Sequence, residues 1–174
     1  MIIGLAGYAQ VGKDTAALAL MEQGFTRFAF ADILKREVQD MLYAVGITDD
    51  VYDEKQKKFW RDLLVFWGAK RRAISKDYWI TQLEQDIQLR ELVEPDIVIT
   101  DVRYMNEVEW VQEQGGKVIW IHRPGYYPVN EEENLSFNVI RRRATDITHI
   151  DNNGTIEELH NKIKSLDIVA PQGI

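Results

Sequence analysis

Lys13 stands in the stretch GYAQVGKDT, Gly7–Thr15. Glycines at positions 7 and 12 followed at once by a lysine suit a loop that cradles phosphate. Backbone N–H groups converge on anionic oxygens, the glycines let the chain come close, and the lysine neutralises the β- and γ-phosphates. Asp14 occupies the place where such loops usually carry Ser or Thr, and Thr15 follows one residue later. A carboxylate beside phosphates is repelled unless a cation lies between them, and Mg²⁺ prefers oxygen ligands. Asp14 is therefore expected to face a metal, directly or through water, with Thr15 donating to a phosphate oxygen. The alternative is an acid that favours the N-terminus of the helix it opens.

Other residues fit the same chemistry. In DIVITDVRYMNE, Asp101 and Arg103 follow an apolar run, and ligands of open α/β sheets bind beyond the carboxyl ends of strands. Asp101 could organise Mg²⁺ or orient Arg103, and Arg103 could grip a phosphate with both ends of its fork. The plainer reading is an Asp–Arg pair that caps the next helix. In FAFADILK, Asp32 and Lys35 take a similar position, though Asp32 also suits an N-cap and Lys35 a solvated surface. In FWRDLLVFWGAKRRAISKDYW, Trp60, Leu63, Leu64 and Trp67 recur at helical spacing, which predicts the core of a small helical subdomain. Arg61, Arg71 and Arg72 lie beside that stripe and are better ligand contacts than the tryptophans. Arg123 and the run Arg141–Arg143 fit a lid that closes over phosphates. His122, His149 and His160 have no ligand spacing.

Elements that must position these residues can be read from the apolar pattern. Ile2–Ala6, Arg27–Phe30, Asp96–Thr100, Lys117–His122 and Asp146–Ile150 predict buried strands. Helices are predicted over Lys13–Gln23, Asp32–Val45 and Asn106–Gln114, and behind a capping box of Thr155 and Glu158. Alternating strands and helices imply a parallel α/β sheet with right-handed crossovers. Residues 47–94 break the rhythm and read as two or three added helices. Residues 123–145 are polar, carry Pro124, Gly125 and Pro128, and read as a mobile excursion. The last few residues read as a frayed tail.

The 174 residues suggest one domain with insertions, and 45% hydrophobic content allows a sizeable core. A formal charge of -7 argues against a nucleic-acid polymer as partner. No cysteine is present, so disulfides and thiolate metal sites are excluded. The sequence shows no signal pattern and no apolar run that approaches a membrane span.

Taken in order, GLAGYAQVGKDT, FAFADILK, RDLLVFWG, KDYWI, IVITDVRYMNEVEWVQEQGGKVIWIHRPG and IDNNGTIEEL resemble the phage-type deoxynucleoside monophosphate kinases. The resemblance spans most of the chain, and GKDT is the family's usual form of the loop. It implies a three-layer P-loop kinase fold with a five-stranded parallel core in the order 2-3-1-4-5. It also implies a monophosphate-binding insertion at 47–94, a lid at 123–145, ATP as donor and Mg²⁺ as cofactor. The nominated donor site is Gly7, Gln10, Val11, Gly12, Lys13, Asp14 and Thr15, with Arg123 and Arg142 from the lid. The nominated acceptor site is Asp32, Lys35, Arg61, Trp67, Arg72, Trp79, Arg103 and Glu107. Lys13, Asp101 and Arg103 are the catalytic candidates, and Asp14 and Asp101 the metal-side carboxylates. Val65 and Ala69 replace residues that are often Gln and Thr in the family, and the lid lacks the common His-x-Ser-Glu pattern. A homodimer and the cytoplasm of an infected host are compatible with the resemblance. The expected reaction is transfer of the ATP γ-phosphoryl group to a deoxynucleoside 5′-monophosphate. Phosphorylation of a metabolite hydroxyl and a non-catalytic nucleotide-binding module are the alternatives.

Overall fold

The computed structural model describes residues 1–90 and 96–166. The chain divides into two compact units, residues 1–28 with 93–174, and residues 29–92. The expected tail and residues 91–94 of the expected insertion lie outside the described residues.

The first unit holds β1 (Ile2–Ala6), α1 (Lys13–Met21) and β2 (Thr26–Phe28). From the second half of the chain come β3 (Ile97–Val102), α5 (Met105–Glu113), β4 (Lys117–His122), α6 (Glu131–Arg143), β5 (Ile147–Asp151) and α7 (Ile156–Lys164). The strands form one parallel sheet in the order β2-β3-β1-β4-β5. Consecutive residues Ile97–Thr100 and Val118–Ile121 are all buried. Because side chains alternate between faces, such runs require cover on both sides. Helices supply that cover, with α1 packed on α7 and α5 on α6.

The register between β1 and β3 shifts between Gly4 and Ala6, just before the Gly7 loop. The expected second strand ends early, at Phe28, because Phe30 already opens the next helix. Residues 123–145 are more ordered in pattern than the polar composition suggests. Asn130 caps α6 by accepting from the Glu133 N–H at 2.8 Å, and Phe137 and Ile140 are fully buried on its inner face. Acids fill its first turn and Arg141–Arg143 its last, so its charges complement the helix dipole.

The second unit contains α2 (Phe30–Ala44), α3 (Glu54–Ile74) and α4 (Tyr78–Leu89). Among the described residues, 47–94 thus carries two helices. Its core joins Val38, Leu42, Val51 and Leu64 with Leu34, Trp60, Leu63 and Trp67, as the helical spacing of the aromatic stretch predicts. Several polar groups inside this unit are paired. Gln39 donates to the Asp49 carbonyl at 2.7 Å and accepts from the Val51 N–H at 2.9 Å. Asp86 pairs with Arg36 at 2.9 Å and Arg90 at 3.1 Å.

Thr155 caps α7, accepting from the Glu158 N–H at 3.2 Å while the Glu158 carboxylate accepts from the Thr155 N–H at 2.7 Å. Replacing Thr155 by Ala removes one half of this box. Urea unfolding followed by circular dichroism is expected to show a loss of about 1 kcal/mol, with the unfolding slope unchanged.

Candidate functional site

The loop between β1 and α1 owes its shape to left-handed backbone at Gly7 (φ 136°), Gln10 (φ 63°) and Gly12 (φ 105°). Space enforces glycine as strongly as φ does. A Cβ on Gly7 would lie 2.4 Å from the Ile121 carbonyl oxygen, and one on Gly12 would lie 2.6 Å from Asn152 Nδ2. Gln10 is exposed and Val11 buried at 1%. Asn152, just past β5, is buried and donates from Nδ2 to the Val11 carbonyl at 2.8 Å. Its own N–H donates to the His122 carbonyl at 2.7 Å. One residue therefore ties the loop to the ends of β4 and β5. Asn152 was not among the sequence-nominated residues; its signal is an amide at the exit of a core strand, where loop carbonyls need a donor.

Lys13 is the first residue of α1, and its ammonium donates to the carbonyls of Gly7 at 2.7 Å and Tyr8 at 2.6 Å. The ammonium carries three donors, so the loop wraps it without using all of them. Burial pushes its pKa down to about 8, and the nearby Arg103 guanidinium adds to the fall. The carboxylates of Glu133, Asp14 and Asp101 oppose it. These charges all act on Lys13: Asp14 is in the first turn of α1, Asp101 is in β3 and Arg103 just past it, and Glu133 lies in the first turn of α6. Asp14 and Arg103 are exposed, while Asp101 and Thr15 are half-buried.

Glu107 is 3% exposed, and its Oε2 accepts from the N–H groups of Arg103 at 2.7 Å and Tyr104 at 3.0 Å. Its carboxylate thus fixes the turn that presents Arg103. Ser136 of α6 donates to the Arg103 carbonyl, and Tyr104 donates to Glu132 at 2.6 Å. Glu133, also buried, accepts from the Val129 N–H at 2.8 Å. The sequence nominated neither Glu132, Glu133 nor Ser136 as site residues. Arg123 lies over the Tyr126 ring at 5.3 Å, and Arg142 is exposed.

The remaining nominated residues belong to the second unit. Asp32 is in the first turn of α2, where Ala29 and not Asp32 is the N-cap; Lys35 lies 3.4 Å from its carboxylate and over the Tyr52 ring. Arg61 is exposed and Arg72 half-buried on α3. Trp67 donates to Glu37 at 2.8 Å, and Trp79, 3% exposed, donates to the Gly68 carbonyl at 3.2 Å. Both indoles are therefore engaged in packing α2, α3 and α4.

The low Lys13 pKa has a consequence for anion binding. At pH 7 the ammonium is mostly charged, and a phosphate beside it favours the charged form, so binding raises the pKa above 8. Near pH 8 to 9, polyphosphate binding is expected to take up a fraction of a proton, and affinity is expected to fall as pH rises through that range. Calorimetric titrations in buffers of different ionisation enthalpy measure the uptake, which Lys13→Met abolishes. In the unliganded protein the sign is opposite for stability. The unfolded chain holds the Lys13 proton up to about 10.5, so this residue's cost to folding is full below pH 8 and is relieved as pH rises from 8 to 10.5.

Comparison with known proteins bears on the family and the fold. Residues 59–163 match the deoxynucleotide monophosphate kinase family model. A protein of Acanthamoeba polyphaga mimivirus, provisionally named a deoxynucleotide monophosphate kinase, is 29% identical over 190 residues, covering 95% of both chains. Among solved structures, the dephospho-CoA kinase from Campylobacter jejuni aligns with TM-score 0.56 at 11% identity, covering 95% of this chain and 94% of its own. The shikimate kinase from Acinetobacter baumannii aligns with TM-score 0.51 at 16% identity, covering 95% and 91%. At such identities the structures establish the shared kinase fold, and the family match, covering well over half the chain, makes this protein a member of the deoxynucleotide monophosphate kinase family.

Proposed function

We propose that the protein transfers the γ-phosphoryl group of ATP to the 5′-phosphate of a deoxynucleoside monophosphate in a Mg²⁺-dependent reaction. The observation that carries this reading is the convergence of Lys13, Asp14, Asp101 and Arg103 in one electrostatic neighbourhood. It mixes cations that hold phosphate with carboxylates that phosphate alone would reject.

The donor set fits Mg²⁺. Among the described residues no three His, Asp or Glu cluster as a cage, and Mg²⁺ is commonly held by one or two carboxylates together with phosphates and water. Asp14 and Asp101 would supply those carboxylates. When bound, the metal would neutralise phosphate charge.

The chain's own residues do the rest. Loop N–H groups and Lys13 hold the donor phosphates, Thr15 donates to a phosphate oxygen, and Arg123 and Arg142 close over the triphosphate. Arg103, fixed through its backbone by Glu107, grips the acceptor phosphate. An acceptor oxygen attacks the γ-phosphorus as the bond to the β-bridging oxygen breaks, and ADP leaves with that electron pair. The acceptor phosphate is largely ionised at neutral pH, so no base must remove a proton. The task is alignment and neutralisation. In the second unit, Asp32, Lys35, Arg61 and Arg72 are the remaining acceptor-side candidates, and Trp67 and Trp79 hold α2, α3 and α4 together.

A coupled ADP-release assay across the deoxynucleoside monophosphates tests the reading, and turnover of at least one is expected. In the folded protein, Lys13→Ala is expected to lower kcat by about 10²-fold or more. Arg103→Lys keeps the charge but loses the planar fork; it is expected to raise the acceptor KM or lower kcat while ATP affinity measured alone stays near that of the parent. Loss of ATP affinity with a normal acceptor KM would move Arg103 to the donor side. Near-normal turnover of Lys13→Ala would overturn the phosphate-loop assignment.

A further inference from the structure

Helix α6 touches both sides of the candidate site. Its residue Phe137 is 1% exposed and packs edge-on against the Tyr8 ring, with centroids 5.5 Å apart, and against Trp120 at 5.0 Å. Tyr8 belongs to the phosphate loop, and its carbonyl accepts from Lys13 at 2.6 Å. Arg141, one turn further along α6, places its guanidinium 5.1 Å from the same ring. The helix is thereby fixed to the loop that holds Lys13.

The neighbouring row of α6 meets a different segment. Ser136 is half-buried and donates to the Arg103 carbonyl. Glu132, one turn earlier and so on the same face, accepts from the Tyr104 hydroxyl at 2.6 Å. The start of the helix is itself held, because Asn130 caps it and the buried Glu133 carboxylate accepts from the Val129 N–H at 2.8 Å.

At Arg103 the backbone is held and the side chain is exposed. Glu107 takes its N–H at 2.7 Å and Ser136 its carbonyl, while the guanidinium faces solvent. The aim of the fork therefore depends on the peptide groups on either side of it. Glu107 belongs to α5 and ties the turn to its own helix. Ser136 ties it to the helix whose next residue, Phe137, packs on the phosphate loop. A misplacement of about 1 Å can cost about 10²-fold in rate, so a hydroxyl spent on backbone can still govern turnover. We propose that Ser136 is a positioning residue for phosphoryl transfer, which holds Arg103 in register with the phosphate loop through α6. This role rests on the kinase reading above.

The test combines steady-state kinetics on the accepted deoxynucleoside monophosphate, ATP affinity measured alone, and amide hydrogen exchange in the unliganded protein. Ser136→Ala is expected to lower kcat/KM for the acceptor by about fivefold or more, with ATP affinity within about twofold of the parent's and the thermal midpoint close to it. Exchange at the Arg103 and Tyr104 amides is expected to quicken while the interior of α5 keeps its protection. Ser136→Thr keeps the hydroxyl and is expected to restore both readouts. Tyr104→Phe breaks the bond to Glu132 at the same turn and is expected to act in the same direction as Ser136→Ala. Because Ser136 acts through Arg103, adding Ser136→Ala to Arg103→Lys is expected to cost less than about twofold further. Parent-like kcat/KM or exchange in Ser136→Ala, no recovery with Thr, or losses that multiply in the double variant would overturn the proposal. A parent that turns over no deoxynucleoside monophosphate would sink the kinase reading and this role with it. A parent that turns over, matched by Ser136→Ala, would sink this role alone.

Discussion

The hydrogen bond from Asn152 to the Val11 carbonyl is the constraint on which the loop depends. It is a buried contact 141 residues apart in sequence, and it works only because Gly12 has no side chain to keep the two segments apart. Losing the amide would leave a carbonyl without its donor, at a cost of about 1–3 kcal/mol. Adding a methyl at Gly12 would force the amide away and strain a left-handed residue at once. The sheet order matters for the same reason. β1 must be central, beside β4, for the exit of β5 to reach the loop that β1 launches.

Around that fixed loop the charges are arranged in opposition. Three carboxylates and one guanidinium act on Lys13, and burial still outweighs the acids and draws its pKa down. The lysine is thereby kept responsive to a new negative neighbour, where a fully solvated ammonium would gain less. Arg103 is not left to find its own place. Glu107 holds its N–H and Ser136 its carbonyl, so both sides of one peptide neighbourhood are clamped before any ligand arrives. This is the arrangement expected where rate comes from preorganised electrostatics.

Much of this was legible in the sequence. The strand pattern revealed the parallel sheet because doubly covered strands must be apolar at successive positions, and GYAQVGKDT revealed the loop because spacing and residue type are dictated by backbone approach. The stripe of Trp60, Leu63, Leu64 and Trp67 was read correctly as core for the equally local reason of helical period. What escaped was long-range or hidden by polarity. Asn152 looks like any polar residue after a strand until its partner across the chain is known. Glu133 lies in an acidic run that reads as solvated surface, yet Asn130 caps it into a helix and Phe137 buries that helix's inner face. Glu107 looked like a ligand contact, but its carboxylate faces backbone N–H groups that the sequence cannot orient. The boundary at Phe30 moved because an aromatic is as acceptable in a buried first turn as at the end of a strand.

Several polar groups of the second unit find their partners within it. Gln39, Asp86 and Glu37 each find partners within residues 29–92. Such self-sufficiency bears on inheritance. Substitutions on the exposed positions of α3 can accumulate without disturbing the bonds that shape Gly7–Thr15. A lineage can then vary the exposed surface of one unit while the loop of the other is passed on intact, and the two parts of one gene can evolve at different rates.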